Sequence, residues 1–123
     1  MQARTVVTAL GAGRVAIGLG LIVATRRTAG GWLGKDAAAV PGARAAVRGL
    51  GARDLAAGAA LLVAIARDAD DAEVRRWLLA GALGDTVDAV ATVSAGRNDP
   101  VGRASTLIAV SAAATGAWAA SRL

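Results

Sequence analysis

The amino-acid sequence predicts an all-α protein, a bundle of four transmembrane helices. Three observations carry that expectation. Hydrophobic residues make up 55% of the 123 positions and charged residues only 19%, and the apolar positions gather in four stretches long enough to cross a bilayer. Ala (34) and Gly (16) together fill 50 positions, so the chain has ample apolar surface but few bulky side chains to fill a water-facing core. Short links rich in Gly, Pro, Asp and Arg separate the stretches. At this length one domain is the sensible prior, covering residues 1–123.

The first span is expected at about residues 5–25. Its run Val15 to Ala24 is followed at once by Arg26 and Arg27 with no small-residue cleavage signal before them, which favours an uncleaved span over a signal peptide. Residues 26–36 then read as a Gly-rich link, with Trp32 and Leu33 at a membrane interface. The second span, about 43–66, opens at Pro41, a first-turn residue with no backbone donor to leave unsatisfied. The third, about 74–95, is capped by Asp70 or Asp71 with Glu73 adding negative charge to its first turn. Gly96-Arg97-Asn98 reads as its stop signal, and Asp99-Pro100 as the N-cap and first residue of the fourth span, about 102–121. Only Ala104 to Ser121 forms an uncharged run of 18, so hydropathy alone leaves a soluble Ala-rich helical interaction bundle as an alternative. Against it, Val15 to Ala24, Leu55 to Ala66 and Ala104 to Ala120 carry no continuous charged face.

Composition removes several kinds of chemistry. With no Cys, His, Phe or Tyr, no disulfide, thiolate nucleophile, imidazole base or His/Cys metal site can be built, and the expectation is a protein that is not an enzyme, with no metal and no cofactor. The balance of 14 basic against 9 acidic residues, net +5, raises nucleic acid as a partner. The cations sit at the edges of apolar stretches with no aromatic platform between them, so the expected partner is the lipid bilayer, together with a homo-oligomer or membrane complex, and no nucleic acid. Trp32, Trp77 and Trp118 all fall near span ends, the pattern of interfacial anchors, with ordinary packing as the bland explanation. Arg and Lys outside the spans number five on the side of the termini and seven on the other, a small bias that places both termini outside and leaves dual insertion open.

The sharpest feature is a set of five charges inside the spans: Arg14, Arg53, Asp54, Asp85 and Asp88. Each lies within about three residues of its span midpoint, which puts them all within roughly 5 Å of one depth. An unpaired charge at that depth costs at least about 2.5–3.5 kcal/mol, so the five are expected to pair across helices with one carboxylate left over. Gly81, Asp85, Asp88 and Thr92 share one helical face, as do Gly11, Arg14 and Gly18, where small neighbours leave room for a guanidinium. The expected pairing is Arg14 with Asp54 and Arg53 with Asp85 or Asp88, while Arg44 and Arg48 snorkel toward one interface. Gly49, Gly51 and Gly58 suit close helix approach.

The stretch Arg48-Gly49-Leu50-Gly51-Ala52-Arg53-Asp54-Leu55, with Arg14-x-x-x-Gly18-x-Gly20 and Asp85-x-x-Asp88, resembles the small four-helix membrane proteins of high-GC bacteria that are similar to the DoxX-like family. The similarity covers roughly residues 10–95, and Gly-Ala-Arg-Asp-Leu at 51–55 is its most specific element. The resemblance implies a four-span bundle in the plasma membrane, and members of the wider DoxX group are linked to quinone-associated redox complexes. Two functional readings follow: a structural or accessory membrane subunit or small-ligand binder built around the charge network, or a small proton-coupled transporter in which Asp85 and Asp88 exchange protons.

Overall fold

The computed structural model describes residues 2–97 and 99–123, apart from the side chain of Gln2. Six helices account for nearly all of them: α1 (Gln2–Val23), α2 (Thr25–Leu33), α3 (Lys35–Ala39), α4 (Pro41–Ala66), α5 (Asp71–Ser94) and α6 (Pro100–Ala120). No strand occurs among the described residues. The four long helices run alternately up and down, with α1 packed closely on α4 and α5 on α6. The two pairs meet through α4 and α5 on one side and, more sparingly, through α1 and α6 on the other.

Local chemistry sets most helix boundaries. Asp70 caps α5 by accepting a hydrogen bond from the Glu73 N–H (2.7 Å), which settles the choice between Asp70 and Asp71. Pro41 opens α4, and Pro100 opens α6 behind Asp99, which accepts from the N–H groups of Val101 (3.1 Å) and Gly102 (3.0 Å). The Arg97 guanidinium beside Asp99, helped by the Gly102 N–H, holds its carboxyl well below the usual carboxylate range. Asn98, the last residue of the expected stop signal, lies outside the described residues.

The Gly-rich link departs from expectation, because residues 25–39 form two short helices rather than a loop. Their helicity comes from packing. Ala29 and Ala38 are buried against Val47 of α4, with Leu21, Trp32 and Leu33 around them, and Gly34 turns the chain between the two helices at φ +91°, a region that suits Gly. Arg44 and Arg48 do not simply snorkel. Arg44 donates to the carbonyls of Ala38 (3.2 Å) and Ala39 (2.7 Å) at the end of α3, and Arg48 donates to the Thr25 hydroxyl (3.2 Å) at the start of α2.

The backbones of α1 and α4 touch at glycines spaced seven apart on each helix. A Cβ on Gly18 would lie 2.6 Å from the Gly51 carbonyl oxygen, and one on Gly58 would lie 2.6 Å from that of Gly11. Gly51 and Gly58 therefore make the close approach expected of them, whereas Gly49 has open space around it. At one end of the bundle Val7, Leu61, Val74, Leu78 and Ala119 form the main apolar cluster, and Ala29, Ala38 and Val47 form a smaller one at the other. Between them the interior is glycine and charge.

Many large apolar side chains face outward: Ile17, Val23, Val63, Leu79, Leu83, Val90, Leu107 and Ile108 are all exposed. Two helical segments, Ala3–Val23 and Pro41–Ala66, are long and apolar enough to cross a membrane, and only 17% and 28% of their apolar windows are buried within the protein. Ionisable residues keep α5 from the same standard, and Arg103 together with Gly, Ser and Thr lowers the hydropathy of α6.

Candidate functional site

All five expected interior charges converge in one connected cluster. Arg14 projects from the middle of α1 and forks onto two helices, donating to Asp54 of α4 (3.1 Å) and to Asp85 of α5. Arg53 of α4 grips Asp88 of α5 through both terminal nitrogens (3.1 and 2.6 Å) and also donates to Asp54 (3.1 Å). The result is a chain of alternating sign, Asp85–Arg14–Asp54–Arg53–Asp88. Arg14 thus binds Asp54 as expected, and of the two acids offered to Arg53 the structure selects Asp88. No carboxylate is left over, because Asp54 is shared by both arginines through one oxygen.

Small residues create the space for the guanidiniums. A Cβ on Gly81 would stand 3.0 Å from an Arg14 nitrogen, and one on Gly84 would stand 3.4 Å from an Arg53 nitrogen. Burial falls along the chain of charges. The side chains of Arg14, Asp54 and Asp85 are 12%, 12% and 9% exposed, against 39% for Arg53 and 35% for Asp88. Beside Arg53 lies a recess of about 300 Å³ lined by Ala56, Ala57, Trp77, Ala80, Gly81 and Gly84.

Because α1 and α6 touch only sparingly, a larger cavity of about 600 Å³ opens between them. Its walls come from one face of α1 (Val6, Leu10, Gly13, Ile17, Leu21) and one face of α6 (Ser105, Ile108, Ala109, Ala112, Thr115). Asp54, Asp85, Asp88 and Arg14 form its floor, with Thr92 on the same α5 face. The stripe on α5 predicts a polar face pointing inward, but not the cavity, whose existence depends on how far α6 stands from α1.

Trp32 is half-buried in the smaller apolar cluster and closes one end of this cavity. Trp77 and Trp118 are exposed near the opposite end of the bundle, where the Arg122 guanidinium lies 5.8 Å from the Trp118 ring. Among the described residues no group of His, Cys, Asp and Glu is arranged to hold a metal ion. Fold and site together define an all-helical bundle with an ion-paired interior that opens onto an apolar cavity. Set against family models, curated proteins and solved structures, the chain matches none.

Proposed function

We propose that this chain is a small integral membrane protein, with α1, α4, α5 and α6 as four spans in the plasma membrane, that binds a small ligand in the cavity over its Arg/Asp network. The observation that carries this reading is the distribution of side chains: charges and glycines fill the middle of the interior, while many Leu, Ile and Val side chains are exposed. Water would penalise such a surface, and lipid tails would not. An Arg/Asp cluster at one depth is costly in lipid unless its members pair with each other or reach water, and the recess beside Arg53 gives water a route to the half-exposed end. Trp77 lies 8 residues, about 12 Å, from Asp85 along α5, and Trp118 lies at the same end of the bundle on α6, close to where a headgroup boundary would fall. Kinship with DoxX-like proteins belongs to the same proposal and rests on the motifs at residues 14–20, 48–55 and 85–88.

The test uses the absence of cysteine from the sequence. Single cysteines at Gly31 and at Ala72, on opposite ends of the bundle, are expected to react with an impermeant maleimide from opposite sides of sealed vesicles. Equal labelling of both, with the protein recovered in buffer without detergent, would replace this reading with the soluble interaction bundle.

A second reading, the proton-coupled transporter, is favoured by one observation: Asp85 and Asp88 both line the cavity. Asp85→Asn and Asp88→Asn in reconstituted vesicles separate the two. Loss of a proton-linked flux with folding intact supports transport, and loss of thermal stability alone supports a structural lock.

A further inference from the structure

The ionic cluster does not balance. Counted by formal charge, two arginines and three aspartates sum to a single negative charge. That charge has somewhere to act. Among the described residues Asp54 accepts its hydrogen bonds through Oδ1 and Asp85 through Oδ2, which leaves Asp54 Oδ2 and Asp85 Oδ1 without a donor. No buried side-chain oxygen or nitrogen among them lacks a partner, so the two spare oxygens are not sealed in. The cavity that both residues line is the space that reaches them. The two carboxyl groups flank the same guanidinium.

The cavity has a shape as well as a charge. Its lining on α1 runs from Val6 to Leu21, roughly 22 Å along the helix axis, with Arg14 near the middle. A volume of about 600 Å³ spread over that length makes the space elongated rather than round. Apolar arms of roughly 10 Å therefore extend from the carboxylates in both directions, toward Trp32 at one end and Thr115 at the other.

We propose that this slot holds a lipophilic monocation, a secondary ammonium whose N–H groups donate to Asp54 and Asp85 while its two apolar arms lie along α1 and α6. The inference rests on the ligand-binding reading above and names the class of ligand. One positive charge neutralises the cluster. An anion would add to its excess charge, a neutral chain would leave that charge unbalanced in an apolar surround, and a hydrated divalent ion would meet walls that are apolar apart from the hydroxyls of Thr92, Ser105 and Thr115.

The experiment compares three two-armed probes on the full chain in phosphatidylcholine nanodiscs: dioctylammonium, dioctyl ether and dioctyl phosphate. Binding is read by equilibrium dialysis and by the shift in thermal midpoint. The ammonium is expected to bind saturably at one site and raise the midpoint, with the ether and the phosphate at least tenfold weaker. Asp85→Asn, which removes both an acceptor and the excess charge, is expected to weaken the ammonium at least tenfold. Ala109→Phe, which fills the slot without altering an ionic partner, is expected to do the same and decides the matter if the Asn variant fails to fold. Equal binding of ether and ammonium, or preference for the phosphate, would overturn the assignment of a cation while leaving ligand binding in place. A folded wild-type protein that retains none of the three would sink the ligand-binding reading along with it.

Discussion

Arg14 is the hub of the interior, since it alone touches carboxylates on two other helices and is the sole hydrogen-bond partner of Asp85 among the described residues. Removing one partner of a buried ion pair leaves the other charge stranded, which costs about 3–5 kcal/mol. Arg14→Gln is therefore expected to destabilise the bundle by that order, read as thermal unfolding in detergent. Asp54→Asn should do much less harm, because it leaves two separate neutral pairs, Arg14 with Asp85 and Arg53 with Asp88. The double variant Arg14→Gln with Asp85→Asn is expected to recover part of the loss, and a coupling energy near zero would show that the two side chains do not act together. The types and depths of these five residues were legible in the sequence. The sharing of Asp54 was not, because a carboxylate within reach of two arginines is defined only when α1, α4 and α5 are all in place.

Helix α1 meets α4 through glycines, and their effects should divide by position. Gly58→Ala and Gly18→Ala put a methyl group against backbone 2.6 Å away, so the helices must separate and stability is expected to fall. Gly13→Ala and Gly49→Ala add a Cβ where nothing lies within 4 Å, and they are expected to stabilise by up to about 1 kcal/mol through helix propensity alone. Thermal midpoints of the four variants check the division, and a uniform response would refute it. Spacing on a single helix cannot separate Gly49 from Gly51, since only the partner's backbone tells them apart.

The start of α6 offers a pH test on a group at the bundle end. Hydrogen bonding to Arg97 and to the Gly102 N–H depresses the folded-state pKa of Asp99 below the unfolded value near 3.9. The cap's contribution is thus fully present above about pH 4 and is lost as pH falls through the depressed folded value. Hydrogen-exchange protection of the Gly102 and Arg103 amides is expected to hold from neutral pH down to about pH 4 and to decline below it. Asp99→Ala should reduce that protection at neutral pH. The Asp-Pro pair made this cap readable in advance, whereas residues 26–36 read as a link because glycine propensity is a local property, and burial of Ala29 and Ala38 overrode it.

For the molecule as a whole, lipid contact is the governing expectation, and the tryptophans report on it. Trp77 and Trp118 are exposed at one end of the bundle while Trp32 packs inward at the other. In vesicles, lipids brominated near the headgroup are expected to quench Trp77 and Trp118 more than lipids brominated near the chain terminus, and Trp32 less than either. Equal quenching of all three at every depth would contradict the proposed placement of the spans.

Helical periods, a cap at Asp70 or Asp71 and another at Asp99, prolines at helix starts and a band of charge at one depth are all consequences of residue type and spacing along one chain. They are legible in the sequence alone. The partner chosen by Arg53, the double use of Asp54, the helices at residues 25–39 and the cavity between α1 and α6 depend on distances between segments far apart in sequence. Glycine contacts draw α1 onto α4 while α6 stands off from α1, and only that inequality of packing opens an apolar space onto the carboxylates.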